Sequence, residues 1–145
     1  MAKDEIKESL AVVTGTVDLV GSRQLGAAAY GVMRTVAARA VTSGASLVLE
    51  ANFHRNPSSQ WLRALLAQSD GRFVLCHAPL EVLRDRFAAR MARGSRHAVH
   101  LDAEILAEEW PDLAEFDLDL GIPSLSVDTT SGYQPDLDSI VRFVA

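Results

Sequence analysis

Two patterns of apolar residues alternate along the chain. A continuous apolar run that ends at Glu50, of the kind typical of parallel strands covered on both faces, predicts a strand at residues 46–50, and further strands are predicted at 72–77 and, shorter, at 125–128. Around these runs we predict helices, mostly from apolar residues at helical spacing, over residues 4–10, 23–42, 56–69, 80–93, 102–110 and 136–144. Strands that alternate with helices predict an α/β fold with three layers and a parallel sheet. Three strands are few for such a sheet.

The residues at the predicted helix ends refine this picture. Ser22 is expected to cap the long second helix, and Gly44 to follow its last residue in the left-handed conformation that glycine readily adopts. Asp102 is expected to cap a short helix, and Asp4 to be the cap or a first-turn acid of the first helix. Residues 11–21 predict a loop.

The composition places the chain among ordinary globular domains. It has 145 residues, 48% hydrophobic and 23% charged, which predicts a single domain over residues 1–145. The start of the chain lacks the apolar stretch of a signal peptide, and no run approaches the length of a membrane span. The one cysteine, Cys76, excludes an internal disulfide, and its apolar neighbours predict a buried, inert thiol. We therefore expect a cytoplasmic protein.

The charge of the chain bears on its partners. The net charge is −5, whereas nucleic-acid-binding domains usually carry a basic surface, so a nucleic-acid partner is not expected. The basic residues between 84 and 100 are the one segment that would suit such a partner. Binding of oligonucleotides with a steep salt dependence would support that weaker interpretation.

Three segments in order carry a resemblance to a known family. They are Lys3–Glu8, Val48–Phe53 and Leu83–His97. Together the segments resemble the P-loop kinases labelled as AAA-domain ATP-binding proteins, a group that includes zeta toxins, chloramphenicol phosphotransferases and polynucleotide kinases. The likeness covers nearly the whole chain. It implies the fold of the P-loop-containing nucleoside triphosphate hydrolases and an ATP-dependent kinase that acts, with Mg²⁺, on a hydroxyl of a small molecule or nucleotide.

The first segment implies a catalytic acid. By resemblance, Asp4 matches the general base that orients or accepts the proton of the substrate hydroxyl, and Lys7 matches a basic substrate-binding position. The alternative is an acid at a helix start followed by a solvated lysine.

The second segment implies further substrate contacts. Glu50 and Asn52 lie at the end of a predicted strand, where ligands bind in open α/β sheets, and they match polar groups that contact the substrate or metal-bound water. The alternative is a strand-end acid held by nearby backbone N–H groups.

The third segment implies a lid that binds phosphate. Arg86, Arg90 and Arg93 have the spacing of one helix face and match the arginines that clamp ATP phosphates, and Arg90 and Arg93 also serve as catalytic residues for the transition-state charge. The alternative is a solvated charged face. Arg96, His97 and His100 extend the lid loop, but two histidines without a third ligand do not predict a metal site.

The phosphate-binding loop of such kinases has the motif G-x-x-x-x-G-K-[ST], and we find only an imitation of it. The glycines Gly15 and Gly21 are one residue too far apart, and Ser22 rather than lysine follows them. We expect an N-terminally incomplete domain that lacks the first strand, the Walker A loop and the second strand. Catalysis is then expected to be weak or absent. A truncated chain or a start codon assigned too late would explain the missing elements. The alternative is a non-catalytic remnant that serves as an interaction or oligomerisation module.

The missing first strand would be central in the family fold. The strands at 46–50 and 72–77 would then expose their edges, which proteins normally avoid. Three outcomes stay open: the two strands pair directly, residues 11–14 fill the gap, or a second chain covers the edges in a homodimer.

Overall fold

A computed structural model describes residues 1–15, 18–94, 96–107, 110 and 112–145. The chain divides into two compact units, each built from two stretches of sequence. The first unit comprises Met1–Asn52 and Ala88–Trp110, and the second comprises Phe53–Phe87 and Pro111–Ala145.

Helices α1 (Lys3–Thr14) and α2 (Leu19–Thr42) form most of the first unit. Helix α1 has Asp4 in its first turn, as predicted, but it continues through Thr14. The predicted loop is therefore wrong for residues 11–14, and the same residues are excluded as a substitute strand. The N-cap of α2 is Asp18, whose carboxylate accepts a hydrogen bond from the backbone N–H of Gly21 at 2.8 Å. Ser22 lies buried inside the helix, so its prediction as the cap is wrong.

Small residues let the two helices pack closely. The buried stripe of α2 carries Ser22, Ala29, Met33 and Ala37, and α1 buries Lys7 and Ala11. Methionine is the one large apolar side chain in this set, and Met33 is fully buried. Beyond the helix end Gly44 has φ 75°, which confirms the predicted left-handed position after the last turn.

Gly31→Ala is expected to raise the free energy of unfolding by about 0.5–1 kcal/mol. Gly31 lies inside α2, and a Cβ atom placed on it meets no atom within 4 Å, so alanine adds helix propensity without a clash. Urea denaturation measures the change. Gly44→Ala is the matched control and should be destabilising, because Gly44 has a positive φ. Equal effects of the two substitutions would contradict the prediction.

The run at 46–50 does not form the predicted strand. Its one bridge joins Glu50 to Ala2, with the backbone N–H of Lys3 donating to the carbonyl of Glu50 at 2.9 Å. Val48 is 78% exposed, so this apolar run is not covered on both faces. The prediction of a buried strand here is wrong. An apolar run favours burial, but burial also requires neighbouring elements that cover the run, and the run itself does not predict them.

The second unit contains a parallel pair of strands. Strand β1 (Phe73–His77) pairs with β2 (Ser124–Asp128), which confirms the two predicted strands and their parallel arrangement. Helices α3 (Arg55–Leu66) and α6 (Leu137–Val144) also belong to this unit. Cys76 is exposed near the carboxyl end of β1, where His77 is exposed too, so the predicted burial of the thiol is wrong.

The core of the second unit lies on α3. Leu62 packs there with two leucines from the stretch after the 3₁₀ turn Leu113–Phe116, namely Leu118 and Leu120. The guanidinium of Arg55 donates to the carbonyls of Ala114 and Asp117, both at 3.0 Å, and holds this irregular stretch in place. The predicted apolar stripe of α3 is confirmed by this packing.

The candidate lid begins in helix α4 (Leu80–Ala92), as predicted. A 3₁₀ turn follows at Ala98–His100, and α5 spans Asp102–Leu106. Leu101 precedes α5 with φ 50°, and Asp102 is the first helical residue rather than the cap. Within the described part of the chain, no helix is both long and apolar enough to cross a membrane.

Candidate functional site

One arginine joins two carboxylates in the first unit. The guanidinium of Arg96 donates to Oδ2 of Asp4 at 2.5 Å and to Oδ1 of Asp102 at 2.8 Å. The side chains of Arg96, Asp4 and Asp102 are 22%, 37% and 10% exposed. Such charge-assisted contacts are stronger than neutral hydrogen bonds, and partial burial reduces their screening by solvent. The pair joins the first turn of α1 to the segment before α5.

Asp4 is strongly acidic in this setting. Burial alone would raise the pKa of its carboxyl group, but the hydrogen bonds and positive charges of Lys3 and Arg96 outweigh burial and lower the pKa from 3.8 to about 2. The Nζ atom of Lys3 lies 2.7 Å from Oδ1 of Asp4. Asp4 is therefore ionised at neutral pH, which suits it to accept a hydrogen bond from a hydroxyl rather than to hold a proton.

Lys7, one turn after Asp4 in α1, is buried. Its Nζ atom donates to Oγ of Ser22 at 2.8 Å, and the Ser22 hydroxyl donates to the carbonyl of Val99 at 2.6 Å. Burial first, and then the charge of Lys3, lowers the pKa of the Lys7 ammonium group. The alternative of a solvated lysine is wrong, since Lys7 is 6% exposed. One polar chain thus links α1, α2 and the 3₁₀ turn.

His100 makes a second link between α1 and the same turn. Its Nε2 atom lies 2.8 Å from Oε1 of Glu8, so that nitrogen carries the proton when it faces the carboxylate. The side chain of His100 is 3% exposed, and burial lowers the pKa of its imidazole despite the opposing hydrogen bond to Glu8. Sequence reasoning missed this pair; its signal is the helical spacing that places Glu8 one turn after Asp4.

Asn52, another substrate-binding candidate, contacts Lys3 and Tyr30. The hydroxyl of Tyr30 donates to the carbonyl of Asn52 at 2.7 Å, and Nζ of Lys3 lies 3.4 Å from its Oδ1 atom. Burial, with the negative charges of Asp4 and Glu50, raises the pKa of Tyr30 to about 12. Glu50 exposes its side chain, and its backbone N–H donates to the carbonyl of residue 1 at 3.0 Å. Sequence reasoning missed Tyr30.

The lid arginines have different surroundings. Arg90 and Arg96 line a cavity of about 280 Å³ in the first unit, together with His97, Asp102 and Glu104. Arg93 is exposed just beyond the end of α4. The guanidinium of Arg86, in the second unit, donates instead to the carbonyls of the two threonines that follow β2, Thr129 at 2.5 Å and Thr130 at 3.1 Å.

A metal site has little support in this arrangement. No group of three or more histidine, cysteine, aspartate or glutamate side chains among the described residues is placed to hold a metal ion. The carboxylates of Asp4 and Asp102, which have the oxygen chemistry that Mg²⁺ prefers, both accept from Arg96.

Comparisons with known proteins identify the family. Residues 2–109 match the family described as AAA domain. The chain is also similar to the crystal structure of a "putative kinase" from Chloroflexus aurantiacus, with 30% sequence identity and a TM-score of 0.75. That match covers 98% of this chain and 80% of the other. Among curated proteins, none matches significantly. The α/β architecture, the parallel strand pair and these matches agree, and the chain belongs to the AAA domain family of P-loop kinase-like proteins.

Proposed function

We propose that this chain is a kinase-like nucleotide-binding domain that transfers the γ-phosphoryl group of ATP, with Mg²⁺, to a hydroxyl of a small molecule or nucleotide. The observation that carries the proposal is the pairing of Asp4 with Arg96, a lid arginine. A carboxylate that orients a hydroxyl and a cation that binds phosphate must meet at the point of phosphoryl transfer. Family membership and the kinase-like structural relative support the same reaction class.

Asp4 is the proposed residue that orients the acceptor. Phosphoryl transfer passes through a loose transition state with little charge on the nucleophile, so a carboxylate with a pKa of about 2 serves by accepting a hydrogen bond. Lys7, Glu50 and Asn52 are the proposed substrate-binding residues. Among the described residues Lys7 donates to Ser22, and an ammonium group has three donors, so a polar substrate could accept another of them.

The proposed phosphate clamp consists of Arg90 and Arg93, and Arg86 is a further proposed phosphate-binding residue. Guanidinium groups bind phosphate oxygens in pairs and keep their charge at every physiological pH. Arg90 lines the cavity that Arg96 also lines, which supports its role. Arg86 would have to exchange the carbonyls of Thr129 and Thr130 for phosphate.

We further propose that residues 1–145 are one P-loop-kinase-like domain with three layers, and that it works in the cytoplasm. The sequence contains no G-x-x-x-x-G-K-[ST] motif, so the backbone cradle for the phosphates is expected to be incomplete in these residues. Nucleotide affinity and phosphoryl transfer are then weak.

The alternative is a non-catalytic module that acts through association, as a homodimer or with another protein. The observation that favours it is the exposed apolar side of α6, where Leu137, Val141 and Val144 are 58%, 54% and 52% exposed. Light scattering of the purified chain over a range of concentrations would reveal association. A dimer that does not bind ATP would support this alternative.

Calorimetric titration of Mg²⁺-ATP into the 145-residue chain tests the proposed function. We expect binding that falls by about 10²–10⁴-fold in an Arg90→Ala, Arg93→Ala variant, because the two charge-assisted hydrogen bonds removed contribute roughly 1.5–3 kcal/mol each. The matched control is Arg34→Ala, Arg39→Ala, which removes two exposed arginines from α2 and should bind as the wild type does. Absence of ATP binding, or equal losses in both double variants, would contradict the proposal.

A further inference from the structure

Arg96 forms an ion pair with Asp4, the carboxylate on which the proposed function depends. Asp4 carries the oxygens that would accept the hydrogen bond of the acceptor hydroxyl, yet Oδ2 accepts from Arg96 and Oδ1 lies 2.7 Å from Nζ of Lys3. Asp4 is the residue shared by these two cations. An acceptor hydroxyl that approaches Oδ2 therefore competes with the guanidinium of Arg96 for that oxygen.

The segment that carries Arg96 is fixed at its far end. The buried hydroxyl of Ser22 donates to the carbonyl of Val99, and the buried imidazole of His100 contacts Glu8. These two contacts hold residues 99 and 100 against α1 and α2 without involving Arg96. The guanidinium can therefore change its partner while the 3₁₀ turn stays docked.

The guanidinium also faces a space that an anion can enter. Arg96 lines the cavity of about 280 Å³ with Arg90, His97, Asp102 and Glu104, so two guanidinium groups and an imidazole share one opening with two carboxylates. Phosphate oxygens and carboxylate oxygens compete for guanidinium with similar paired geometry. A polyphosphate in this cavity would offer Arg96 more negative charge than Asp4 does.

We propose that Arg96 is a latch that holds Asp4 until phosphate enters the lid cavity, and that the phosphate then takes the guanidinium and frees Asp4 for the acceptor hydroxyl. This inference rests on the proposed function and describes the regulation of the same site. No covalent bond changes in the exchange: one set of N–H donors moves from carboxylate oxygen to phosphate oxygen. The consequence is an order of events, in which the phosphate donor prepares the acceptor site.

The titration of Asp4 reports the state of the latch. Besides Arg96, the described groups whose charges interact with Asp4 include Lys3 and Lys7 on α1, Tyr30 on α2 and His100 on the 3₁₀ turn. Loss of Arg96 removes one of the two cations that lower the pKa of Asp4, whereas Lys3 and the effect of burial remain. The pKa should therefore rise from about 2 toward 3.8 when the latch opens.

The test is a carbon-13 NMR titration of the Asp4 carboxyl group in the full chain, with and without saturating inorganic tripolyphosphate. We expect tripolyphosphate to raise the pKa of Asp4 in the wild type. In Arg96→Gln the pKa should be raised before any ligand is added, and tripolyphosphate should shift it much less. Arg39→Gln removes an exposed arginine of α2 and should behave as the wild type does.

Arg96→Lys keeps the experiment decisive if Arg96→Gln does not fold. Lysine preserves the positive charge but presents a single ammonium group, so it cannot donate to Asp4 and Asp102 in the same paired way. We then expect a smaller tripolyphosphate-induced shift than in the wild type. Tripolyphosphate that binds and leaves the Asp4 pKa unchanged overturns the latch alone. A wild-type chain that binds neither tripolyphosphate nor ATP overturns the proposed function and the latch with it.

Discussion

Met33→Ala is expected to lower the free energy of unfolding by about 2–5 kcal/mol. Among the residues whose burial the structure describes, Met33 is the largest fully buried side chain, and its neighbours along the buried stripe of α2 are Ala29 and Ala37. Alanine at all three positions would leave a cavity that these small residues cannot fill, because the helix backbone keeps them apart. Urea denaturation followed by circular dichroism measures the loss.

Val32→Ala is the matched control for this prediction. Val32 precedes Met33 in the same helix but is 41% exposed, so its truncation leaves no enclosed cavity and should cost less than about 1 kcal/mol. Similar losses for the two variants would indicate that α2 is stabilised by its length rather than by the packing of its buried stripe.

Arg96→Met is expected to destabilise the chain by about 2–4 kcal/mol at pH 7, somewhat less than the full effect of breaking a buried ion pair. Removal of the guanidinium leaves the carboxylate of Asp102, which is 10% exposed, without its cation. It also removes one of the two cations that pair with Asp4. Arg39→Met, in an exposed position of α2, should change stability by no more than about 0.5 kcal/mol. Chemical denaturation of both variants gives the comparison.

The ion pair between Asp4 and Arg96 also predicts how the free energy of unfolding changes at acid pH. The pKa of Asp4 is lower in the folded chain than its ordinary value of 3.8, so its contribution is present above pH 3.8 and is lost as the pH falls toward 2. After allowance for solvent screening of a side chain that is 37% exposed, the loss is about 1 kcal/mol. The Arg96→Met variant should lose less over this range. An equal acid loss in both proteins would show that another carboxylate is responsible.

Local sequence patterns correctly predicted the elements that are determined by residues close together in the sequence. The runs that became β1 and β2, the spacing of α4 and α6, and the glycine after α2 were all identified. The predicted strand at 46–50 was wrong because an apolar run does not determine whether other elements cover it, and Val48 is exposed. Ser22 failed as a cap because α1 packs over it, while Asp18 four residues earlier caps the helix.

The candidate site shows the same division between local and distant signals. The spacing of Asp4 and Lys7 on one side of a helix was visible in the sequence, and both residues lie in one polar cluster. Their partners were not visible: Arg96 is 92 residues from Asp4, and neither the predicted substrate-binding role of Lys7 nor the alternative of a solvated lysine anticipated its burial. Tertiary packing supplied the acceptor of Lys7, the hydroxyl of Ser22.

The first unit is assembled from two separate stretches of chain, Met1–Asn52 and Ala88–Trp110, and this has a consequence for protein synthesis. A ribosome that adds about 5–20 residues per second needs about 5–20 s to pass from Asp4 to Arg96, which are 92 residues apart. During that interval α1 and α2 can pair in the nascent chain, but Asp4 and Glu8 still lack Arg96 and His100. Folding of this unit during translation is therefore expected to finish late.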